Sequence, residues 1–555
     1  MLVGWILGPV ILGSLVVLIP RKVAALECLR RTPVTSSLSK AVVEVTEGKL
    51  LGFVDRGIYT FRGIPYARAK RFMVPQEVEP WSGIRDATRY GEICYQSPIR
   101  DKVARDEFFN PHVYLEQSED CQFLNIWTPG LKDGKKRPVM VYLHGGAFSA
   151  GSSISPLTDG RNLSEKGDVV VVSLNHRLNV LGFLDLSAYG DAYKYSGNAG
   201  IADIVAALSW VRRNIEQFGG DPDNIILFGN SGGGAKILAL MATPAARGLF
   251  HKAIVQSGVT FGFGMTLNSK EASQRVAELT LRNLGLTPKE IEKLEIVPYP
   301  TLLEAAEKAI QQTTQELKMR YMWGPVLDGE YIPLHPVGEE FVPWVQDIPL
   351  MIGTVLNEFT TIITHNAIDL LLDNKNTWTI EKIMLKLTER CGRGAQAFLN
   401  AFLKAYPKKK PADAYFVDTV FRPATIETAR KKAKQRAPVY TYVFTYEAPV
   451  MDGVGMAWHC AELPYVFDNT DLVPTATGGG IEAKVMAHTT SLAWIHFAYT
   501  GNPNHEWIPE WPPFTPEGGA TMLIDTLWEV RYHHDEELMN LAVELGLTEP
   551  PDFDW

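Results

Sequence analysis

Cysteine is scarce in this chain, and basic residues are not in excess. Five cysteines occur among 555 residues, and none stands in a Cys-x-x-Cys pair or in a Cys/His cluster with the spacing of a zinc site. We therefore expect no metal site. The formal net charge of -9 argues against a nucleic-acid-binding protein, because such proteins usually carry a basic face.

The chain also has no internal repeat, no low-complexity segment and no Pro- or Ser-rich linker. Hydrophobic residues make up 46% of the chain and charged residues 21%, which is typical of globular proteins. Large α/β enzymes often exceed the usual length of one domain. We therefore predict one catalytic domain over residues 26–555, with helices inserted between its strands at about 269–317 and 366–437, where Glu, Lys, Leu and Ala are frequent.

The N-terminal segment has no charged residue between positions 2 and 20, and Arg21 and Lys22 follow directly. An apolar run of this length is at the boundary between a signal peptide and a membrane span. Small residues favour cleavage after Ala25, whereas the length of the run and the lack of a basic segment before it favour a retained anchor. Residues 1–25 are therefore predicted to be a signal peptide or a membrane anchor, and the protein to enter the secretory pathway. A buried N-terminal helix is the remaining alternative.

Short apolar segments of β-type composition predict a central sheet that is buried on both faces. They occupy residues 138–143, 169–174, 225–228, 350–353 and 439–444. Residues 199–218 have apolar positions at helical spacing. Alternating strands and helices with short connections predict a doubly wound, mostly parallel α/β sheet. Nearer the N-terminus, residues 41–48 and 51–61 have strand patterns, and residues 62–135 are rich in loops.

A Gly-x-Ser-x-Gly segment at 229–233 directly follows the predicted strand 225–228 and precedes a helix-compatible run. A strand, a strained turn and a helix in this order form the nucleophile elbow of serine hydrolases, in which the flanking glycines let the helix pass close to the strand. Ser231 is therefore the predicted nucleophile. The alternative is a glycine-rich turn with a serine that caps the helix.

A His-Gly-Gly segment at 144–146 follows the predicted strand that ends at Leu143. Acyl transfer places negative charge on the carbonyl oxygen, and preorganised backbone N–H groups stabilise that charge. We predict that Gly145, Gly146 and Gly232 form this oxyanion hole. An ordinary Gly-Gly turn is the alternative.

The general base is sought among twelve histidines. His459 is preferred because it lies in a loop after the predicted strand 439–444, in the chain order serine, acid, histidine that this fold requires. Among the other histidines, His144 is interpreted as part of the oxyanion loop and His176 as a residue with a structural role. His533 and His534 are interpreted as solvated residues of a charged tail.

The acid is sought between the nucleophile and His459. Glu358 follows the predicted strand 350–353 and would hold the imidazole tautomer and stabilise the imidazolium. Asp328 is a rival, but Asp-Gly more often marks a turn. A surface charge is the alternative for either carboxylate.

Further motifs are spread over the chain: F-x-G-I-P-Y-A at 61–67, E-D-C-x-x-L-N at 119–125, F-G-G-D-P at 218–222, Q-S-G at 256–258 and H-C-A-E-L-P-Y-V-F at 459–467. With these segments the chain resembles the type-B carboxylesterases, the family that includes the cholinesterases and bile-salt-activated lipase. The resemblance covers nearly the whole chain after the N-terminal segment and implies the α/β-hydrolase fold.

Carried over by position, the resemblance implies a triad of Ser231, Glu358 and His459 and a disulfide between Cys94 and Cys121, which would favour an oxidising compartment. Pairing of Cys28, Cys391 and Cys460 stays open. The elbow departs from the usual G-E-S-A-G, since Asn230 replaces the glutamate, removing a buried charge, and Gly232 replaces the alanine. The aromatic gorge of cholinesterases is not evident, so selectivity for choline esters is not expected.

The resemblance implies a serine ester hydrolase that acts on a small-molecule ester through an acyl-enzyme, without a cofactor. Two alternatives are an esterase or lactonase dedicated to one specialised metabolite and a non-catalytic binding protein; the presence of all three triad residues disfavours the latter. Asn162 stands in a glycosylation sequon. The aromatic candidates for lining the substrate pocket are Phe148, Phe261, Phe263, Trp323 and Trp458.

Overall fold

The computed structural model describes residues 34–97, 106–261 and 267–550. The predicted signal peptide or anchor at 1–25, Cys28 and Phe263 lie outside these ranges. Within them, no helix is long and apolar enough to span a bilayer.

The strands are, in chain order, β1 Val42–Val45, β2 Gly48–Leu51, β3 Phe53–Asp55, β4 Ile58–Pro65, β5 Ile84–Asp86, β6 Ile93–Cys94, β7 Gln117–Ser118, β8 Phe123–Thr128, β9 Arg137–Leu143, β10 Val170–Leu174, β11 Gly220–Asn230, β12 Lys252–Gln256, β13 Asn268–Ser269, β14 Val326–Leu327, β15 Leu350–Val355, β16 Val439–Phe444, β17 Ala520–Ile524 and β18 Glu529–Tyr532.

The α-helices are α1 Arg161–Gly167, α2 Asn179–Phe183, α3 Ala199–Asn214, α4 Gly232–Met241, α5 Lys270–Asn283, α6 Tyr299–Leu317, α7 Ala367–Leu372, α8 Ile380–Cys391, α9 Ala395–Ala405, α10 Phe421–Lys432, α11 Leu463–Val466, α12 Pro474–Thr477, α13 Ile481–Thr500 and α14 Glu536–Glu544.

Eleven strands form the main sheet, in the order β18-β17-β16-β15-β12-β11-β9-β10-β8-β4-β3. The block from β17 to β10 is parallel throughout, and the flanking strands pair antiparallel. The predicted doubly wound, mostly parallel sheet is confirmed. Strand β11 occupies the middle of this order, so the residue that follows it stands at the centre of the sheet's carboxyl edge.

The sheet is buried on both faces, because alternate residues of its central strands belong to different hydrophobic clusters. In β9, Val139, Val141 and Leu143 pack in one cluster, whereas Met140 and Tyr142 pack in the other. Continuous apolar runs are therefore needed in these strands, which is why the sequence pattern identified five of the seven parallel strands. Strands β12 and β17 were not predicted.

The N-terminal strands differ from the prediction, because turns interrupt both predicted segments. The first turn lies at residues 46–47, where the Thr46 N–H donates to Asn214 Oδ1 at 2.9 Å and Glu47 Oε2 accepts from Trp210 Nε1 at 3.0 Å. The second lies at residues 56–57, both with positive φ. Contacts with the distant helix α3 set the first turn, and no local pattern encodes them.

The region 62–135 contains a strand that the sequence pattern did not separate from its loops. Strand β8 is buried along its whole length and pairs with β10 and β4 in the main sheet. Its polar members Asn125 and Thr128 break the apolar run. Asn125 Nδ2 donates to Ser153 Oγ and Ser173 Oγ, so tertiary hydrogen bonds compensate for its burial.

Candidate active site

The turn after β11 is a strained elbow that carries Ser231. Ser231 has φ 57° and ψ -128°, a conformation that costs energy for any residue with a side chain. Its N–H donates to the Gln256 carbonyl at 2.8 Å. A Cβ at Gly233 would lie 2.0 Å from the Leu143 carbonyl oxygen, so only glycine lets helix α4 pass this close to β9.

His459 and Glu358 form a buried pair. The distance from His459 Nδ1 to Glu358 Oε2 is 2.5 Å, and Glu358 Oε1 accepts the Val355 N–H at 3.1 Å. With Nδ1 donating to the carboxylate, Nε2 of the imidazole is left as the acceptor. His459 and Ser231 line the same cavity, so the structure brings the three predicted residues to one carboxyl edge of the sheet.

Burial sets the protonation of this pair. It lowers the pKa of His459 to about 4, against the opposing effect of the Glu462 and Asp418 carboxylates. It also raises the pKa of Glu358. A depressed histidine pKa keeps the imidazole neutral at neutral pH, which is the form that can accept a proton.

An aromatic ring holds the imidazole in place. Phe421, the first residue of α10, stacks on His459 with 5.4 Å between ring centroids and 26° between planes. The buried carboxylate of Asp418 accepts the N–H groups of Val420, Phe421 and Arg422 at 2.9, 3.1 and 2.7 Å. Asp418 therefore caps the helix whose first side chain lies against the histidine. Burial raises the pKa of Asp418 to about 7.

The His-Gly-Gly segment lies directly against Ser231, the predicted nucleophile. A Cβ at Gly145 would be 3.3 Å from Ser231 Cβ, and one at Gly232 would be 2.2 Å from the Ala147 carbonyl oxygen. Gly146 and Ala147 have positive φ, 82° and 50°. In the described part of the chain the N–H groups of Gly145, Gly146 and Ala147 meet no hydrogen-bond acceptor, so they are free to bind an anion.

Ala147 was not predicted from the sequence, in which only the two glycines indicate an oxyanion loop. Its N–H stands next to those of the predicted glycines, and it lines the cavity together with Gly145 and Gly146. Its positive φ is a tertiary feature, since alanine in a sequence gives no signal of a left-handed turn.

Asn230 links the elbow to the histidine loop. Its Nδ2 donates to Glu462 Oε1 at 3.0 Å, and its Oδ1 accepts from Cys460 Sγ at 2.9 Å. Gln256 Nε2 donates to the same Glu462 oxygen at 2.9 Å. The prediction that Asn230 removes a buried charge is thus incomplete, because the fully buried Glu462 places a carboxylate beside it. Burial raises the pKa of Glu462.

The cavity in front of Ser231 has a volume of about 200 Å³ and a mainly apolar wall. Among the described residues that line it, none is Asp, Glu, Lys or Arg. The apolar wall consists of Pro111, Val113, Ile154, Leu157, Met322, Phe359, Ile362, Ile363, Phe421 and Leu463.

The predicted aromatic lining is wrong for the four of its five residues that are described. Phe148, Trp323 and Trp458 are buried in the core, and Phe261 is 53% exposed away from the cavity. Phe148 packs against Phe183 instead. Among the described residues, the Tyr and Phe rings that do line the cavity are those of Tyr142, Phe359 and Phe421.

The rival acid lies elsewhere, whereas two further histidines, His112 and His144, line the cavity. Asp328 accepts the N–H groups of Glu330 and Ile332, as the turn interpretation predicts. His176 is buried and stacks on His144 with 4.9 Å between centroids. The prediction of a solvated tail is wrong for His534, whose side chain is 5% exposed.

Cys94 and Cys121 form the disulfide that the resemblance implies. Cys391 and Cys460 are free thiols, and Cys460 lines the cavity. Asn162 lies in α1, and its Nδ2 donates to Asp468 O and Asp471 Oδ1. Its glycosylation stays a prediction.

The chain is similar in sequence to several known esterases and hydrolases. A model of the carboxylesterase family matches residues 39–541. The para-nitrobenzyl esterase of Bacillus subtilis (strain 168) is 35% identical over 508 residues, which cover 90% of this chain and 97% of that protein. The phenmedipham hydrolase of Pseudarthrobacter oxydans is 33% identical over 499 residues, which cover 88% and 95%.

A solved structure extends the likeness to three dimensions. An esterase from anaerobic Clostridium hathewayi, which can hydrolyse aliphatic aromatic polyesters, has a TM-score of 0.83 and 40% sequence identity to this chain. The match covers 92% of this chain and 100% of that one. The predicted α/β-hydrolase fold is confirmed by this likeness and by the sheet described above.

Proposed function

Given that this chain belongs to the carboxylesterase family and is a carboxylic ester hydrolase, we propose that Ser231, His459 and Glu358 cleave the ester through a covalent acyl-enzyme. The observation that carries the proposal is the 2.5 Å contact between His459 and Glu358 at a cavity that Ser231 also lines. A nucleophile, a base and an orienting acid are the three groups that this chemistry needs.

Acylation begins when Ser231 Oγ attacks the ester carbonyl carbon while His459 Nε2 accepts the hydroxyl proton. The carbonyl oxygen becomes an oxyanion that the N–H groups of Gly145, Gly146 and Gly232 stabilise, with Ala147 as a further donor. The imidazolium is stabilised by Glu358. His459 then protonates the alkoxide as the C–O bond breaks, and the alcohol leaves.

Deacylation repeats these steps with water. His459 takes a proton from a water molecule, whose oxygen attacks the acyl carbon. The oxyanion forms again at the same N–H groups, and its collapse breaks the bond to Ser231 Oγ. The proton returns from His459 to Ser231, and the carboxylic acid leaves.

Ser231→Ala tests the nucleophile. We expect kcat/KM for p-nitrophenyl butyrate to fall at least ~10⁴-fold, since removal of a triad nucleophile leaves only binding and oxyanion stabilisation. Ser209→Ala, in helix α3, serves as the control because its Oγ only donates to the Val205 carbonyl. Turnover by Ser231→Ala equal to that of wild type would contradict the proposal.

We further propose that the substrate is an uncharged ester with apolar groups. The support is the cavity wall, where the described residues supply mainly apolar surface and no Asp, Glu, Lys or Arg side chain. A charged group placed there would lose its hydration without gaining a partner of opposite charge.

A pair of isosteric esters tests this preference. Choline butyrate and 3,3-dimethylbutyl butyrate have the same shape, but only the first carries a positive charge. We expect kcat/KM to be at least ~10-fold higher for the neutral ester, because the cation is desolvated without compensation. A preference for the choline ester would show that the wall does not control selectivity.

A further inference from the structure

Helix α4 carries a lysine inside the protein, behind the oxyanion loop. Lys236 lies one turn beyond Ser231 and is 0% exposed. Its Nζ donates to the His144 carbonyl oxygen at 2.8 Å and lies 5.8 Å from the centre of the Phe148 ring. Across the described ranges no carboxylate forms an ion pair with it.

The neighbours of Lys236 offer no negative charge. His144 and His176 stack on each other beside it, and burial lowers the pKa of both imidazoles, with the Lys236 amine as a further cause. Burial also lowers the pKa of Lys236. A buried amine without an anionic partner is costly, and an apolar side chain of similar size would pack here at lower cost.

The acceptor of Lys236 is the carbonyl of the peptide unit that begins the oxyanion loop. This unit joins His144 to Gly145 and is planar and trans, so its C=O and N–H point in opposite directions. Fixing the carbonyl toward the interior therefore fixes the Gly145 N–H away from it. The loop continues through the positive φ angles of Gly146 and Ala147, whose orientation depends on where this first unit leaves β9.

We propose that Lys236 is a positioning residue, whose amine holds the oxyanion loop in the geometry of the tetrahedral intermediate through the His144 carbonyl. Lys236 does not touch the substrate. The inference rests on the proposed function, because it assigns the loop its role in stabilising the oxyanion. Misplacement of the loop raises the free energy of the transition state more than that of the bound ester. Removal of the Lys236 amine should therefore lower kcat rather than raise KM.

Lys236→Met tests the inference, since methionine keeps most of the volume and removes the donor. We expect kcat to fall about 10- to 100-fold, less than or comparable to the loss of a direct oxyanion donor, with KM within ~3-fold of wild type. Affinity for a trifluoromethyl ketone, which forms a tetrahedral adduct, should weaken by the same factor as kcat. The melting temperature should stay within a few degrees of wild type.

Lys432→Met is the matched control. Lys432 is also 0% exposed, and its Nζ donates to a backbone carbonyl, that of Val345, at 3.1 Å. It lies at the far end of α10 from Phe421. We expect its kcat and inhibitor affinity to match wild type, whatever the change in melting temperature.

An unchanged kcat in Lys236→Met, a loss confined to KM, or an equal loss in Lys432→Met would overturn the inference. Should Lys236→Met not fold, Lys236→Leu and Lys432→Leu give the same comparison with the same outcomes, because leucine also has no donor. Ser231→Ala separates the two proposals: an active Ser231→Ala refutes the proposed function, whereas an inactive Ser231→Ala with an unaffected Lys236→Met refutes only the role of Lys236.

Discussion

At the scale of single residues, the site depends on how closely backbones approach one another. Gly232 stands where the family resemblance usually has alanine, and a Cβ there would lie 2.2 Å from the Ala147 oxygen and 2.5 Å from its Cα. The departure noted in the sequence is therefore explained by the oxyanion loop, which packs on the first turn of α4. A substitution at Gly232 or in the oxyanion loop should therefore shift the backbone of the other segment.

Gly232→Ala should displace this loop. We expect kcat to fall ~10-fold or more, because the N–H groups leave the position of the oxyanion, and stability to fall by about 1–3 kcal/mol from overpacking. Steady-state kinetics and urea unfolding measure the two effects. Gly480→Ala is the control, since a Cβ there meets no atom within 4 Å. Unchanged kinetics in Gly232→Ala would mean that the loop can move without loss.

The placement of Ser231 and His459 at one cavity could be predicted, because the roles predicted for them depend on a short motif and on chain order. The partners of Asn230 could not. Its side chain contacts Glu462 and Cys460, which are more than two hundred residues away in the chain, and no local pattern encodes such a pair. Lys236 is a similar case, since a lysine in a helix usually indicates an exposed position.

At the scale of secondary-structure elements, the strands position the proposed reacting groups, and one helix packs against the imidazole. Strands β9 and β11 end directly before His144 and Ser231, and β15 ends three residues before Glu358. The parallel pairing of β9 with β11, of β11 with β12 and of β12 with β15 brings these ends to one edge of the sheet. Helix α10 comes from a region predicted only as inserted helices. Its first residue, Phe421, nevertheless stacks on the imidazole of His459, the proposed base.

Asp418→Asn tests the contribution of this helix. We expect stability to fall by about 1 kcal/mol, because an amide has one acceptor oxygen where the carboxylate caps three N–H groups, and kcat to fall several-fold as Phe421 moves. Thermal unfolding and kcat are the measurements. Thr379→Ala removes a comparable cap from α8, where Thr379 Oγ1 accepts the Lys382 N–H, and should lower stability only. The same kcat for Asp418→Asn and Thr379→Ala would show that the cap on α10 does not contribute to catalysis.

At the scale of the whole molecule, we propose that residues 1–25 direct the chain into the secretory pathway. The uncharged run at 2–20 supports this, as does the disulfide between Cys94 and Cys121, because such bonds persist in oxidising compartments. Intact-mass measurement of protein from a secreting host should give a chain that begins at Leu26 or a membrane-bound chain that keeps the run. Soluble cytosolic protein with a free thiol at Cys94 would contradict the proposal.

A glycan on Asn162 would appear in the same mass spectrum. In a host that glycosylates secreted proteins, Asn162→Gln should remove that added mass. Because the Asn162 amide donates two hydrogen bonds in the folded chain, modification would have to precede the formation of these contacts.

The amino-acid sequence by itself determined the class of fold, five of the seven strands of the parallel block and the chain order of the predicted nucleophile, acid and base, because buried strands need continuous apolar runs and the elbow needs its glycines. Only the tertiary structure decided which side chains face the cavity, where the N-terminal turns fall and what Asn230, Ala147 and Lys236 contact. These features depend on contacts between residues that are far apart in the chain, in some cases by hundreds of positions. The periodicity of apolar residues along the chain carries no information about such contacts.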